Sequence, residues 1–337
     1  MSQYAHLSTI DPEFAEIADS LGPPPDAEED AENDIHAMRV SGALLNAWYP
    51  GSTFPSVDKY DAKDHRVAVQ GGEIVVRSVV PTLQVAGETF PLLVWYHAGG
   101  WSLGNIDMDD ANLRHICVDL RISVINVDYR LAPENPFPTG FDDCYAALKW
   151  AAEHERELSA SLSKGFIVAG ASAGGNLSAA VALRARDDPF FKGRNLTGQI
   201  LHYPALCHPD VYPDKYKNEL LSMDALKGVP IVSKKTMFWC YELLKAPPAS
   251  PYFSPLLAPS HAGLPPACLQ ICGLDPLRDE SFLFEKLLRE QGVKTKLHVY
   301  PGVPHGVNAL CSQITTAKRF EREFREAIVW IVGLSAQ

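Results

Sequence analysis

Ser172 stands in Gly170-Ala171-Ser172-Ala173-Gly174, the spacing G-x-S-x-G. Its surroundings give the pattern weight. The apolar run Phe166-Ile167-Val168-Ala169 leads in, and an Ala-rich stretch from Leu177 to Arg186 leads out, so the serine falls on a strand-to-helix turn. Such a turn holds a hydroxyl out at a sheet edge. It needs glycines where neighbouring strands leave no room for side chains, and it aims helix N–H groups at a carbonyl under attack. A solvent serine in a Gly-rich turn is the plainer reading; the phosphate-loop spacings G-x-x-x-x-G-K-[ST] and G-x-G-x-x-G do not fit this loop.

A nucleophilic serine needs a base, the base an orienting acid, and the tetrahedral oxygen a set of donors. His97-Ala98-Gly99-Gly100-Trp101 ends an apolar run at 91–97. Without a Cβ in the way, Gly99 and Gly100 can turn their N–H groups into a cavity, and Ala173 would add its own as a third oxyanion donor. Of eleven histidines, His305 in Val303-Pro304-His305-Gly306 follows the last strand and precedes the final helix, where a loop can bring imidazole back over the serine. Asp275 follows the run 267–272, giving the order Ser, Asp, His along the chain. His298 lies mid-strand and reads as packing. His154 would need a second histidine at position 158 to bind zinc, and Leu158 stands there. Asp279 and Glu280 fall in the first turn of the following helix, as partners of its dipole.

The elements that must carry these residues alternate. Asp11-Pro12-Glu13 opens a helix that stops near Leu21-Gly22, with Phe14, Ile17 and Leu21 on one face. Residues 26–34 read as acidic loop or frayed helix, and a second helix is expected at 35–48. Two β-rich runs, 66–69 and 73–80, flank Gly71-Gly72 as a hairpin. Strands are then expected at 91–97, 122–127, 165–170, 198–203, 267–272 and 296–300, with helices at 109–120, 141–157, 173–187, 279–291 and 313–332. The pattern implies an α/β fold: a mostly parallel, twisted sheet with helices on both faces. Residues 206–265 break the rhythm and contain an amphipathic piece at 233–245, which reads as an insertion over the carboxyl edge of the sheet.

Composition narrows the partners. The 337 residues are 46% apolar and 21% charged, enough for one large α/β domain. Of the net charge of −11, residues 1–38 carry ten acids and no Lys or Arg, leaving 31 acids against 30 bases in the rest. A nucleic-acid partner would want a basic patch, and none is present. No run approaches the roughly 18 apolar residues of a membrane span, and MSQYAHLSTI lacks the basic start and apolar stretch of a secretory signal, so a cytoplasmic location is expected. The seven cysteines form no CxxC pair, and Cys268 and Cys272, about 13 Å apart on one strand, read as free buried thiols. No metal-ligand spacing survives and no cofactor is implied.

Taken together, His97-Ala98-Gly99-Gly100-Trp101, Asp128-Tyr129-Arg130-Leu131-Ala132-Pro133-Glu134, Gly170 to Leu177, Asp275 to Glu280 and Pro304-His305-Gly306 appear in order over about residues 65–335. The chain resembles the hormone-sensitive-lipase-like (bacterial family IV type) branch of the α/β-hydrolase esterases. The resemblance implies an α/β-hydrolase fold with a helical cap: an N-terminal cap segment at 1–60 and a catalytic domain at 61–337 with a cap insertion at about 206–265. It implies Ser172 as nucleophile, His305 as general base and acid, Asp275 as its orienter, and Gly99, Gly100 and Ala173 as oxyanion donors. Trp101, Phe238, Trp239 and Val307 are the expected substrate-binding residues, and His97 with 128–134 the architectural ones. Ala98 replaces the family's usual glycine, and Val307 its usual phenylalanine, which suggests a wider wall. The expected activity is hydrolysis of a small-molecule ester with a short or medium acyl chain, or of an acetylated small molecule. Two alternatives remain: a ligand-binding protein of the gibberellin-receptor type, which has lost the catalytic histidine that His305 supplies here, and a non-hydrolytic cyclisation or acyl transfer. Monomer and homo-oligomer are both open. The N-terminal helix is expected to pack on the insertion helix bearing Phe238, Trp239 and Tyr241.

Overall fold

Two glycines start the sheet. Gly71, at φ +79°, and Gly72 turn the chain between β1 (Tyr60–Val69) and β2 (Gly72–Pro81), which pair antiparallel from Tyr60↔Pro81 to Val69↔Gly72. The remaining strands are β3 (Leu92–Tyr96), β4 (Ser123–Asp128), β5 (Phe166–Ala171), β6 (Gly198–His202), β7 (Ala267–Leu274) and β8 (Thr295–Pro304). They form one eight-stranded sheet in the order β1-β2-β4-β3-β5-β6-β7-β8, parallel from β4 to β8. The computed structural model describes residues 3–18, 34–42, 44 and 47–335.

The α-helices are α1 (Pro12–Ala18), α2 (Ile35–Ser41), α3 (Asp110–Leu120), α4 (Thr139–Glu153) and α5 (Ala173–Asp187), then the one-turn α6 (Ser222–Ala225), α7 (Lys234–Leu244), α8 (Arg278–Glu290), the one-turn α9 (Val307–Leu310) and α10 (Thr315–Ser335). Strands β3, β5, β6 and β7 are buried along their whole length, because helices cover both faces; this is why they read as continuous apolar runs rather than alternating ones. One face packs on residues of α4, α5, α7 and α8, and the other on α3 and α10. Among the described residues no helix is long and apolar enough to cross a membrane. All seven cysteines are buried and free.

The expected strands hold to within a residue or two, except the first, which begins at Tyr60 rather than at 66, and the last pair. Strands β7 and β8 run on through Gly273 and Gly302 to the pairing Leu274↔Pro304, past an irregularity between Cys272 and Leu274. Both glycines are demanded by close approach: a Cβ on Gly273 would meet Leu7 O at 2.2 Å, and one on Gly302 would meet Thr9 O at 2.3 Å. The N-terminal segment, coiled in a 3₁₀ turn at Ala5–Ser8, therefore crosses the ends of these two strands. The extra length also matters for the site, since Asp275 and His305 are the residues that leave neighbouring strands at the same level.

That crossing corrects the expected place of the N-terminal helix. Asp11 caps α1, its Oδ1 accepting the N–H groups of Glu13 (2.9 Å) and Phe14 (3.2 Å). Phe14, wholly buried, enters the apolar cluster shared with Phe320 and Phe324 of α10, and Glu13 accepts Thr315 N–H at 2.7 Å. The helix docks against β8 and α10, not on α7, because the Leu7 and Thr9 carbonyls are already seated on β7 and β8. Its expected end near Leu21 and the acidic stretch to residue 33 lie outside the described residues. Helix α2 begins on its Asp34 cap and ends at Gly42 in the left-handed conformation (φ 62°), so the expected segment 35–48 is broken there, with Leu44 and Ala47 helical again beyond it.

The insertion between β6 and β7 contains α6 and α7. Ser233 caps α7, and Met237, Cys240, Tyr241 and Leu244 are its buried face, the i, i+3, i+4, i+7 stripe that the amphipathic sequence implied. This face lies on the loop after β3: a Cβ on Gly100 would meet Cys240 Sγ at 2.5 Å, and Phe137 N–H donates to Leu244 O at 2.9 Å.

Candidate active site

Ser172 sits between β5 and α5 with φ 55° and ψ −114°, a backbone conformation unfavourable for any residue with a Cβ. Its neighbours hold it there. Ser172 N–H donates to His202 O at 2.9 Å, tying the turn to β6, and Asn176 N–H donates to Ser172 O at 2.9 Å, starting the helix. The Asn176 amide donates to Ala205 O and Phe253 O, both at 2.7 Å. Gly174 has no alternative: a Cβ there would lie 1.9 Å from Tyr96 O, where α5 crosses the end of β3.

His305 and Asp275 meet at the ends of β8 and β7. Imidazole Nδ1 lies 2.8 Å from Asp275 Oδ2, and Oδ1 of the same carboxylate accepts Leu277 N–H at 2.9 Å. Both side chains are buried. A carboxylate can only accept, so Nδ1 carries the proton and Nε2 is the basic nitrogen. Tyr203, first residue after β6, lays its ring on the imidazole with centroids 4.5 Å apart. Ser172, Tyr203, Asp275 and His305 thus follow four adjacent parallel strands in turn. Among the described residues no hydrogen bond of 3.5 Å or less joins Ser172 Oγ to His305; catalytic hydrogen bonds commonly tighten only once a substrate is bound.

The loop after β3 places three successive residues at positive φ: Gly99 (116°), Gly100 (58°) and Trp101 (59°). A Cβ on Gly99 would strike Leu103 O at 2.2 Å. His97 is buried beneath the loop, donating from Nδ1 to Ala98 O (2.7 Å) and stacked 4.2 Å from Tyr129, whose hydroxyl donates to His97 O. Arg39 of α2 clamps the far side, its guanidinium donating to Ser102 O (2.8 Å) and Ala132 O (2.6 Å). Ala173, one residue past Ser172, opens α5 beside this loop. A serine in a strained strand-to-helix turn, a Gly-Gly loop after the neighbouring strand and an imidazole held by a carboxylate at the same edge of the sheet are parts from which acyl transfer could be built.

Other expected residues fall differently. Trp101 is almost wholly buried, its indole packed on Tyr241 (5.9 Å) and Phe253 (5.6 Å), so it seats α7 while one side of it borders a small cavity. Val307 is completely buried, because the one-turn helix α9 rotates it into the cluster around Cys272 and Ile314; the wider wall expected from its size does not form. Phe238 and Trp239 are half-buried on α7, with Phe238 against His208. Asp279 and Glu280 do more than face a helix dipole. Glu280 accepts Leu206 N–H (2.7 Å) and the Tyr212 hydroxyl (3.2 Å), while Asp279 accepts Leu221 N–H (3.0 Å) and pairs with Arg278 (2.8 Å). They grip the insertion at its root, and burial pushes the Glu280 carboxyl well above its usual range. His298 pairs with Glu323 (3.3 Å) and His154 bonds Trp150 O (2.7 Å). Among the described residues no three His, Cys, Asp or Glu side chains gather as metal ligands. Sequence reasoning missed Tyr203 and Asn308. The signal for Tyr203 was its place just after a strand, shared with Ser172 and Asp275.

Two buried imidazoles behind the site make the fold acid-sensitive. Burial pushes His97 down to about 4 and His202, which has no hydrogen-bond partner on either nitrogen, down to about 3. Below about 6.5 the unfolded chain takes up protons that the folded chain refuses, so stability is lost as pH falls, by about 2 kcal/mol per histidine between pH 6.5 and 5. Asp109, buried between the indole N–H groups of Trp48 and Trp95 (2.8 Å each), is raised to about 6 and acts oppositely, favouring the fold below about 3.8 and losing that contribution as pH rises through 6. Glu280, also raised by burial, acts in the same sense as Asp109, so the histidine share is read by comparing variants in thermal melts: on going from pH 7 to 5, Tm should fall more, or rise less, in the parent than in His202→Leu. Parallel curves for the two proteins would contradict this assignment.

Residues 93–309 match a family model described as an alpha/beta hydrolase fold. The chain is 37% identical over 279 residues to the carboxylic ester hydrolase LipN of Mycobacterium tuberculosis, a match covering 82% of this chain and 70% of that one. It is 34% identical over 254 residues to the versiconal hemiacetal acetate esterase of Dothistroma septosporum, covering 74% and 76%. Among solved structures, a vibralactone cyclase superposes with a TM-score of 0.91 at 41% identity, covering 98% of this chain and 97% of that one.

Proposed function

The chain belongs to the hormone-sensitive-lipase-like branch of the α/β hydrolases and is an enzyme of the esterase type, and from that premise we propose that it is a serine carboxylic-ester hydrolase working through an acyl-enzyme. Ser172 Oγ attacks the ester carbonyl while His305 Nε2 takes its proton. Asp275 holds the imidazole in the required tautomer and steadies the imidazolium. The N–H groups of Gly99, Gly100 and Ala173 receive the oxyanion. His305 then returns the proton to the departing alcohol, and in the second half removes one from the water that releases the acid. The observation that carries this reading is the His305–Asp275 pair at 2.8 Å, set two strands from a serine in the strained turn.

The insertion at 206–265 is the cap in this reading, with α7 closing over Gly100 through Cys240 and over Trp101 through Tyr241. A small apolar cavity bounded by Trp101, Phe141, Leu177, Leu244 and Phe253 begins at the first turn of α5; it has room for a water-sized group, which favours a short acyl chain unless α7 moves outward. The acetate ester named for the Dothistroma relative points the same way. The likeness to a vibralactone cyclase favours one second reading: an internal hydroxyl of the substrate, rather than water, takes the acyl group from Ser172 and leaves a lactone.

A p-nitrophenyl ester series from acetate to decanoate, run in heavy-oxygen water, separates the two. The expected result is a kcat/KM maximum at short or medium chains with one heavy oxygen in each released acid. No turnover across the series would contradict the esterase, and ring-closed product from a hydroxy-ester without label would establish the second reading.

A further inference from the structure

We infer that Tyr203 and Asn308 are positioning residues for His305, the inner links of a chain that begins with the tyrosine ring packed on the imidazole and runs on by hydrogen bonds to Tyr49 and Glu321. The inference rests on His305 being the base of the proposed reaction. That imidazole must keep one orientation while it takes a proton from serine, gives it to the alcohol and takes another from water. Asp275 holds it at Nδ1 alone, a contact about which the ring can still swing.

Tyr203 supplies the second restraint. Its ring lies on the imidazole at 4.5 Å, tilted by 58°, and its backbone is pinned at φ 35° by a bond from its N–H to Gln270 O at 2.8 Å. The Tyr203 hydroxyl, buried and pushed far above its usual titration range by that burial, remains a donor, and it donates to Asn308 Oδ1 at 2.8 Å. Asn308 stands three residues past His305 on the one-turn helix α9, so this bond clamps the imidazole between its own backbone and the ring on its face.

Asn308 is itself fully engaged. Its Nδ2 donates to Tyr49 Oη at 2.7 Å and to Glu321 Oε1 at 2.8 Å. A carboxylate takes only donors, which fixes the amide the right way round for Tyr203. Tyr49 Oη also donates to Glu321, and Tyr49 N–H reaches Ala309 O at 3.0 Å on the same short helix. Asn112 donates to both Tyr49 Oη (3.2 Å) and Glu321 Oε2 (3.0 Å), and Arg325 holds Asn112 and Glu321 from outside. From the buried Tyr203 and Asn308 out to the partly buried Tyr49, Asn112 and Glu321, the side chains of the path are joined by hydrogen bonds, the condition under which such a network fixes one arrangement. None of these groups bonds a nitrogen of His305 or the serine hydroxyl, so their effect passes through the ring they hold. The chain also gives the N-terminal segment a route to the site, through Tyr49 rather than through α1.

The test uses the full chain and the p-nitrophenyl ester with the highest kcat/KM. Tyr203→Phe keeps the ring and should lower kcat roughly tenfold with KM within about twofold, because a slackened base costs rate and not ground-state binding. Asn308→Ala should do the same, and the double variant should be no slower than the slower single, as for two links of one chain. Tyr49→Phe should show a smaller kcat loss with KM again unchanged. Should Asn308→Ala fail to fold, the two tyrosine variants, which retain their rings, carry the test alone. Wild-type kcat in Tyr203→Phe, a loss confined to KM, or additive losses in the double variant would overturn the chain. Ser172→Ala, measured alongside, separates the causes: if it is dead while Tyr203→Phe is fully active, only the positioning chain falls, whereas an active Ser172→Ala removes the mechanism on which it rests.

Discussion

Ser172→Ala is expected to lower kcat on the order of 10⁶-fold, with the melting temperature close to that of the parent. The strained turn does not depend on the hydroxyl. It is held by Ser172 N–H on His202 O, by Asn176 on the two carbonyls of Ala205 and Phe253, and by the contact of Gly174 with Tyr96 O. Alanine can take the same backbone, so the loss should read as chemistry rather than unfolding. The residual rate would come from the oxyanion donors and binding. Because nucleophile, base and orienter act as one unit, adding His305→Ala to Ser172→Ala should cost little more. Hydrolysis of the best ester by Ser172→Ala at near-parental kcat would mean that another group attacks the carbonyl.

Asp275→Asn should cost on the order of 10⁴-fold in kcat. The change is nearly isosteric and keeps an oxygen for Leu277 N–H, so the turn from β7 into α8 should survive. What changes is the partner offered to His305 Nδ1. At 2.8 Å the carboxylate demands a proton on Nδ1, whereas an amide can present its NH₂ there and favour the tautomer with the proton on Nε2. The imidazole then points a donor at Ser172 and cannot take its proton, and the imidazolium loses its counter-charge. A loss of only a few-fold would show that the orientation of His305 is set elsewhere.

How much of this could be read from the sequence depended on how local each constraint was. The elbow around Ser172 was legible because strand, glycines and helix are consecutive in the chain, and the 1.9 Å approach at Gly174 shows why glycine was required there. Asp275 and His305 were legible because parallel strands bring residues just past their ends to one edge. Their exact level was not, since the expected strands stop at 272 and 300, short of Gly273 and Gly302, which make room for Leu7 and Thr9. The docking of α1 was misread for the same reason: its apolar stripe says that it must pack, and only the path of residues 4–11 across β7 and β8 says where. A dipole rule placed Asp279 and Glu280 on their helix correctly but could not show that a distant segment, 206–221, would come to them for hydrogen bonds. Val307 was assigned by motif position, and its side chain turns wholly into the core. Asn308 has no sequence signature; its importance comes from what surrounds its amide.

Covalent labelling tests the central claim, that Ser172 is the nucleophile. The full chain treated with a fluorophosphonate should gain the mass of a single adduct and lose ester hydrolysis in step, and peptide mapping should place that adduct on Ser172, with Ser172→Ala left unlabelled. An adduct on any other residue, or full inactivation of a protein whose Ser172 peptide is unmodified, would contradict it.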